Sequence, residues 1–155
     1  MARVITLNTG SKMANVSASV GNGGKNWPDD VLLVNNLLRI VNMHLKFTDY
    51  SLIPLPGTGS PDAFGPVIEL FQMSFNVGTI KHRFPICFNG DPRLNVDGLI
   101  NPARDHSGYK WKENRPYTIL VLNSYAKIII DDNYHDLAIR FFLRSTPILE
   151  ELVKP

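Results

Sequence analysis

The chain is poor in the features that usually announce a mechanism. It has a single cysteine, Cys87, which excludes an internal disulfide and a thiolate zinc cluster. Cys87 sits in RFPICF between apolar neighbours, and the environment reads as that of a buried, inert thiol. No apolar run has the length of a bilayer-spanning helix. Charge of one sign is also lacking: Lys plus Arg is 16 and Asp plus Glu is 14, a net +2. That balance gives no reason to expect nucleic acid as a partner. The four histidines, His44, His82, His106 and His135, are scattered and form no HExxH or His-x-His, so no metal or cofactor is expected. No Gly-x-Ser-x-Gly occurs, and no pair of acids is nominated for glycoside hydrolysis. We expect no catalytic centre. The opening, MARVITLNTGSK, has no apolar leader core, and cytoplasmic synthesis without membrane insertion is the expectation.

What is present is a core-forming composition, 44% hydrophobic over 155 residues, in keeping with one domain. Arg3–Leu7 and Met13–Val20 alternate polar and apolar residues around the turn-forming Asn8-Thr9-Gly10-Ser11, which predicts an N-terminal β-hairpin within residues 1–20. Gly21-Asn22-Gly23-Gly24 ends it. A helix follows, with Asn26 as its cap, Pro28 in the first turn, and Asp29 and Asp30 at the positive end of the dipole. Val31, Val34, Leu37, Leu38 and Val41 lie on one face of it.

Asn42 to Ser60, with Pro54, Pro56, Gly57 and Gly59, reads as a long loop. A second helix is predicted near Gly65-Pro66, with Pro at its first position and Ile68, Phe71 and Phe75 buried. Gly78 to Asn95 is irregular, Asp97-Gly98 is a turn, and Leu99–Trp111 has no period. A third helix is expected near Pro116, with Ile119, Leu122 and Tyr125 or Ala126 inward. Asn133 is read as the cap of a fourth helix carrying Leu137, Phe141 and Phe142. A short last helix starts at Thr146-Pro147, with Ile148, Leu149 and Leu152 apolar. The apolar tail suits packing on the helical unit, or else a groove-binding or dimer face.

Three phrases carry a family likeness. Ser19-Val20-Gly21, Gly23-Gly24, Asp30-Val31 and Val34-Asn35-Asn36-Leu37-Leu38 form the first. Gly65-Pro66 with Phe71-Gln72 form the second, and Asp97-Gly98, Pro102, Thr118 and Leu122-Asn123 the third. In this order they resemble peptidoglycan-binding domains, of the elaborated kind found with type VI secretion or phage-tail-like injection systems. Asn35 stands where that subgroup has glutamine, the second phrase is one helical turn shorter, and the loop from Pro102 to Thr118 is longer. The resemblance implies a mainly α fold: a small three-helix bundle over residues 21–123, with the β-arm before it and additional C-terminal helices at 124–155.

It also implies a non-catalytic module that binds a glycan-peptide strand beside the Asp-Gly turn. The alternative is an adaptor that uses the fold to hold an effector or secretion-system protein, and a third reading is a small wall-degrading enzyme. The expected ligand-binding residues are Asp97, Arg104, His106, Tyr109 and Trp111. Arg104 would serve as carboxylate partner and Tyr109 or Trp111 as stacking platform; the other reading of 104–112 is a solvated basic loop with one aromatic anchored in the core. A cargo of this kind, loaded in the cytoplasm, is expected to reach a target periplasm by a route other than a standard leader.

Overall fold

A computed structural model describes residues 2–54, 63–78, 93–104, 109–110 and 115–153. The chain is mainly α, with a two-stranded hairpin at its N-terminus, in agreement with the sequence. Strand β1 (Arg3–Thr6) pairs antiparallel with β2 (Lys12–Asn15), in the register Arg3 to Asn15. The Leu7 N–H bonds the Ser11 carbonyl and the Gly10 N–H returns to the Leu7 carbonyl, closing the hairpin at the predicted turn.

Helix α1 (Pro28–Leu45) is the centre of the molecule. Every residue from Leu33 to Asn42 is buried, so it is enclosed on all sides rather than along one face. Its longest contact is with α3 (Thr118–Asp132), and α2 (Phe64–Asn76) adds Phe64, Val67, Ile68, Phe71 and Phe75 to the same core. The polar side chains of α1 hold neighbouring segments. Arg39 donates to the carbonyls of Ile53 (2.9 Å) and Pro54 (2.8 Å) and to Asn35 Oδ1 (2.8 Å), with its guanidinium 4.9 Å from the Tyr50 ring centre. Asn36 donates to the Thr146 hydroxyl.

Four expected boundaries move. Asn26 is not the cap of α1; that position is Trp27, without a side-chain cap bond. Asn26 has φ of +53° and folds its carboxamide back on the glycine turn, accepting from Gly21 N (2.8 Å) and donating to the carbonyls of Gly21 (3.1 Å) and Gly24 (3.0 Å). Helix α2 begins at Phe64, so Pro66 is its third residue, still in the turn whose N–H groups have no helical partner. Asn133 ends α3, donating to the Ile129 carbonyl (2.8 Å), and Asp136 caps α4 (Leu137–Ser145) through Ala138 N (2.9 Å) and Ile139 N (3.3 Å). A turn closed by Asp136 N on the Asn133 carbonyl delays the new helix by three residues. Helix α3 starts at Thr118, because Arg115–Pro116 forms a strand, β6, with β5 (Tyr109–Lys110).

The C-terminal helices divide the apolar tail in two. In α5 (Pro147–Val153), Leu149 and Leu152 are buried, and the helix packs on the hairpin and α3. In α4, Ile139, Phe142 and Leu143 face inward, whereas Leu137 and Phe141, also expected on this helix, are 81% and 62% exposed. Helix α3 runs through residue 123 without a break.

A recurrent device joins these parts. A carboxamide presents one acceptor and two donors and can copy the pairing edge of a strand. Asn15 brackets Ala103 in this way, donating to its carbonyl and accepting from its N–H, both at 3.0 Å. Asn42 brackets Thr48 at 3.0 and 3.1 Å, and Asn76 brackets Leu94 at 2.8 and 2.7 Å. Asn123 does the same for Ala14. At each of these four places a main-chain N–H and carbonyl outside the helical and strand ladders find both partners on one side chain.

Candidate functional site

The turn after the hairpin, the start of α2 and the Asp97-Gly98 turn meet at one point. Strand β3 (Val20–Gly21) pairs antiparallel with β4 (Leu99–Ile100), and Asn22 N donates to the Gly98 carbonyl at 3.0 Å. The pairing joins residues nearly eighty positions apart, so no local period marks it. The Asn22 side chain lies between Gly65 and Gly98: a Cβ on Gly65 would overlap its carboxamide, and one on Gly98 would stand 2.8 Å from the Gly65 carbonyl. Gly98 also needs its φ of +67° for the turn.

Beneath this junction Gln72 is fully buried. Its Oε1 accepts from Asp97 N (3.1 Å) and Gly98 N (2.9 Å). Its Nε2 lies within bonding distance of Asp97 Oδ1 (3.2 Å), the Leu99 carbonyl (3.2 Å) and the Thr118 hydroxyl (3.1 Å). The junction thus ties α2, the 97–100 segment and the start of α3 together.

Asp97 has structural employment in this turn. Its Oδ1 accepts from Leu99 N at 3.0 Å and from Gln72. The niche it lines with Gln72, Leu99 and Thr118 is about 10 Å³, room for a water at most. Arg104 lies elsewhere. It is exposed and lines an open groove of about 1010 Å³. One wall is β1, from Arg3 to Thr6; the floor is Asn15 to Ser17; the other wall is Pro102 to Arg104. The Asn15–Ala103 bracket sets the distance between floor and wall. The floor is fixed from below by Asp30, buried in the first turn of α1, which accepts from Ser17 N (2.9 Å), Ser17 Oγ (3.0 Å) and Ala18 N (3.0 Å).

Arg3 and Arg104 are both among the residues lining this groove, and the described lining contains no carboxylate. Forked donors, amides, hydroxyls and a strand edge suit an extended ligand with carboxylate or amide groups. Arg3 went unnamed at the sequence level because nothing local links it to a residue a hundred positions away. A third feature is Trp27, 47% exposed beside the glycine turn, with the Lys25 ammonium 6.0 Å from its ring centre.

Of the other expected ligand residues, His106 and Trp111 fall outside the described residues, as do Cys87 and His82. Tyr109 is described by its backbone only, in β5 opposite Pro116. Among the described residues no three His, Cys, Asp or Glu side chains gather in one place, and no helix is long and apolar enough to cross a membrane. Burial pushes the Tyr125 hydroxyl up to about 12, in a core position edge-on to Phe75 with ring centres 6.4 Å apart. Compared with family models, curated proteins and solved structures, the chain matches none of them.

Proposed function

We propose that the chain is a non-catalytic recognition module for an extended glycan-peptide strand of the cell-wall type, working with a bacterial type VI secretion or related injection apparatus. The observation that carries this reading is the convergence on Asn22 and Gln72 of the three phrases that resemble peptidoglycan-binding domains. Gly21, Gly65 and Gly98 are close neighbours there, although more than thirty residues separate each from the next.

The ligand would lie in the groove between β1 and Pro102–Arg104, with Arg104 and Arg3 paired to stem-peptide carboxylates. Binding would be by shape and hydrogen bonds, with wall cleavage left to a separate protein. Delivery from the cytoplasm to a target periplasm belongs to the same proposal.

Co-sedimentation with purified sacculi tests it. The wild-type chain is expected in the pellet, and Arg104→Ala and Trp111→Ala are expected to weaken retention. A wild-type chain that stays in the supernatant would overturn the reading. It would favour the adaptor, for which the exposed Leu137 and Phe141 on α4 speak. Release of muropeptides by the purified chain would instead reassign it as a wall-degrading enzyme.

A further inference from the structure

Strand β1 has one edge in use and one edge free. The Ala14 N–H and carbonyl both bond the Asn123 carboxamide, so they point away from β1. Ala14 stands opposite Val4. Residues opposite one another in an antiparallel pair turn their main-chain groups both towards the partner or both away. The N–H and carbonyl of Val4 therefore point away from β2. The hairpin end agrees: Leu7 N bonds the Ser11 carbonyl, which puts Arg3, Ile5 and Leu7 on the inner edge and Val4 on the outer one. Among the described residues no third strand lies on that outer edge, and no other group bonds the Val4 main chain.

This edge borders the groove of Arg3 and Arg104, and Val4 is one of the lining residues. Asn15, which reaches across to Ala103 on the far wall, stands opposite Arg3. The groove therefore lies over the face that bears the Arg3 and Ile5 side chains. Successive side chains of a strand alternate between faces, so that of Val4 is on the other one, and what Val4 offers the groove is its main chain. The far wall offers no such pair at Ala103, whose N–H and carbonyl are both taken by Asn15. Arg3 and Arg104 have no acidic partner among the described residues. Asp30, beneath the floor, is engaged by Ser17 and Ala18. Glu150 and Glu151 belong to α5, which also packs on β1, but they are not part of the lining.

A second copy adding its own β1 here would bring further arginines into a groove without acid. An extended peptide carrying carboxylates satisfies both the unpaired edge and the two cations. We infer that the peptide arm of the wall strand lies extended along β1, and that the Val4 N–H and carbonyl bracket one of its residues as Asn15 brackets Ala103. Carboxylates of the same arm then pair with Arg3 and Arg104. The inference rests on the proposed wall-strand reading and adds how the peptide is recognised. A main-chain bracket takes hold of a peptide unit whatever side chain the ligand carries there, so the groove selects an extended acidic peptide and tolerates variation at the bracketed residue.

Amide hydrogen exchange on the wild-type chain tests it. The probe is a soluble disaccharide-peptide cut from sacculi, and the control is the same disaccharide without peptide. In the free chain the Val4 amide is expected to exchange faster than those of Ile5 and Leu7, which lie on the bonded edge. Saturating disaccharide-peptide is expected to slow Val4 exchange by about tenfold or more, and the bare disaccharide to leave it unchanged. Val4→Pro removes the outward N–H and spares the bonds to β2, since proline is tolerated on a free sheet edge. It is expected to bind the disaccharide-peptide about three- to tenfold more weakly than wild type, the worth of one hydrogen bond. Val4→Ala keeps the N–H and is expected to bind more tightly than Val4→Pro, with circular dichroism as the fold control for both. Three results would overturn the inference and leave the wall reading standing: Val4 exchange unmoved by bound disaccharide-peptide, equal protection by the bare disaccharide, or a folded Val4→Pro chain that binds as tightly as Val4→Ala. A wild type that binds neither sacculi nor disaccharide-peptide overturns the wall reading and this inference with it.

Discussion

Asn123, on α3, holds Ala14 of β2 as a strand would: Ala14 N donates to its Oδ1 at 2.8 Å, and its Nδ2 donates to the Ala14 carbonyl at 2.9 Å. Both residues are buried, and the hairpin has no other strand on that edge among the described residues. Asn123→Leu leaves both main-chain groups of Ala14 unpaired. We expect a loss of about 2–4 kcal/mol, from the cost of orphaning two buried polar groups. Ser124→Ala, one residue along and bonded only to Leu120 O of its own helix, should cost under about 0.5 kcal/mol. Urea denaturation of both variants checks the contrast.

The Asn22 carboxamide and Gly65 form a separable pair. Gly65→Ala should destabilise by about 1–3 kcal/mol, because the new methyl group overlaps the Asn22 side chain. Asn22→Ala removes the obstacle, so the double variant should recover most of that loss. Gly98→Ala should not be rescued in the same way, since its φ is +67° and the Gly65 carbonyl remains close. A double-mutant cycle reads the coupling directly.

Tyr125 predicts an alkaline weakness. Its hydroxyl is pushed from the ordinary value near 10 to about 12 by burial. Between those values the unfolded chain gives up this proton and the folded chain keeps it. Stability therefore falls as pH rises from 10 towards 12, and below pH 10 this group has no effect. Tyr125→Phe should show a flatter profile across that window in denaturation experiments.

The groove arginines predict a salt dependence. If stem-peptide carboxylates are the ligand, retention on sacculi should fall with added salt, since Arg3 and Arg104 line an open, solvent-screened groove. Arg104→Lys keeps the charge but loses the planar fork, and should bind more weakly by roughly tenfold, the equivalent of one charge-assisted hydrogen bond. Equal retention of Lys and Arg variants would remove bidentate recognition from the mechanism.

Much of the framework is legible in the sequence. The hairpin turn at Asn8–Ser11, the inward residues of α2 and α3, and the final helix at Pro147 all follow from local period and turn chemistry, which act over a few residues. The polar residues of α1 were less legible. Asn35, Asn36, Arg39 and Asn42 have the composition of a solvated face, yet all are buried against other segments. A carboxamide in water and one bracketing a distant peptide unit have the same letter. The same blindness applies to α4, whose apolar residues suited either packing or an exposed face: Phe142 is buried, while Leu137 and Phe141 are exposed. A period of 3.6 marks an apolar face without saying which neighbour covers it.

The amino-acid order by itself determined where the chain bends and which stretches coil, because turn residues, caps and apolar spacing bias each backbone segment on its own. Only the tertiary structure decided that Gly21, Gly65 and Gly98 close around Asn22, that Gln72 ties the Asp97-Gly98 turn to α3, and that Arg3 and Arg104 line one groove. Those relations depend on the packing of α1 at the centre. Packing brings together residues far apart along the chain through shape and hydrogen-bond satisfaction, neither of which has a sequence period.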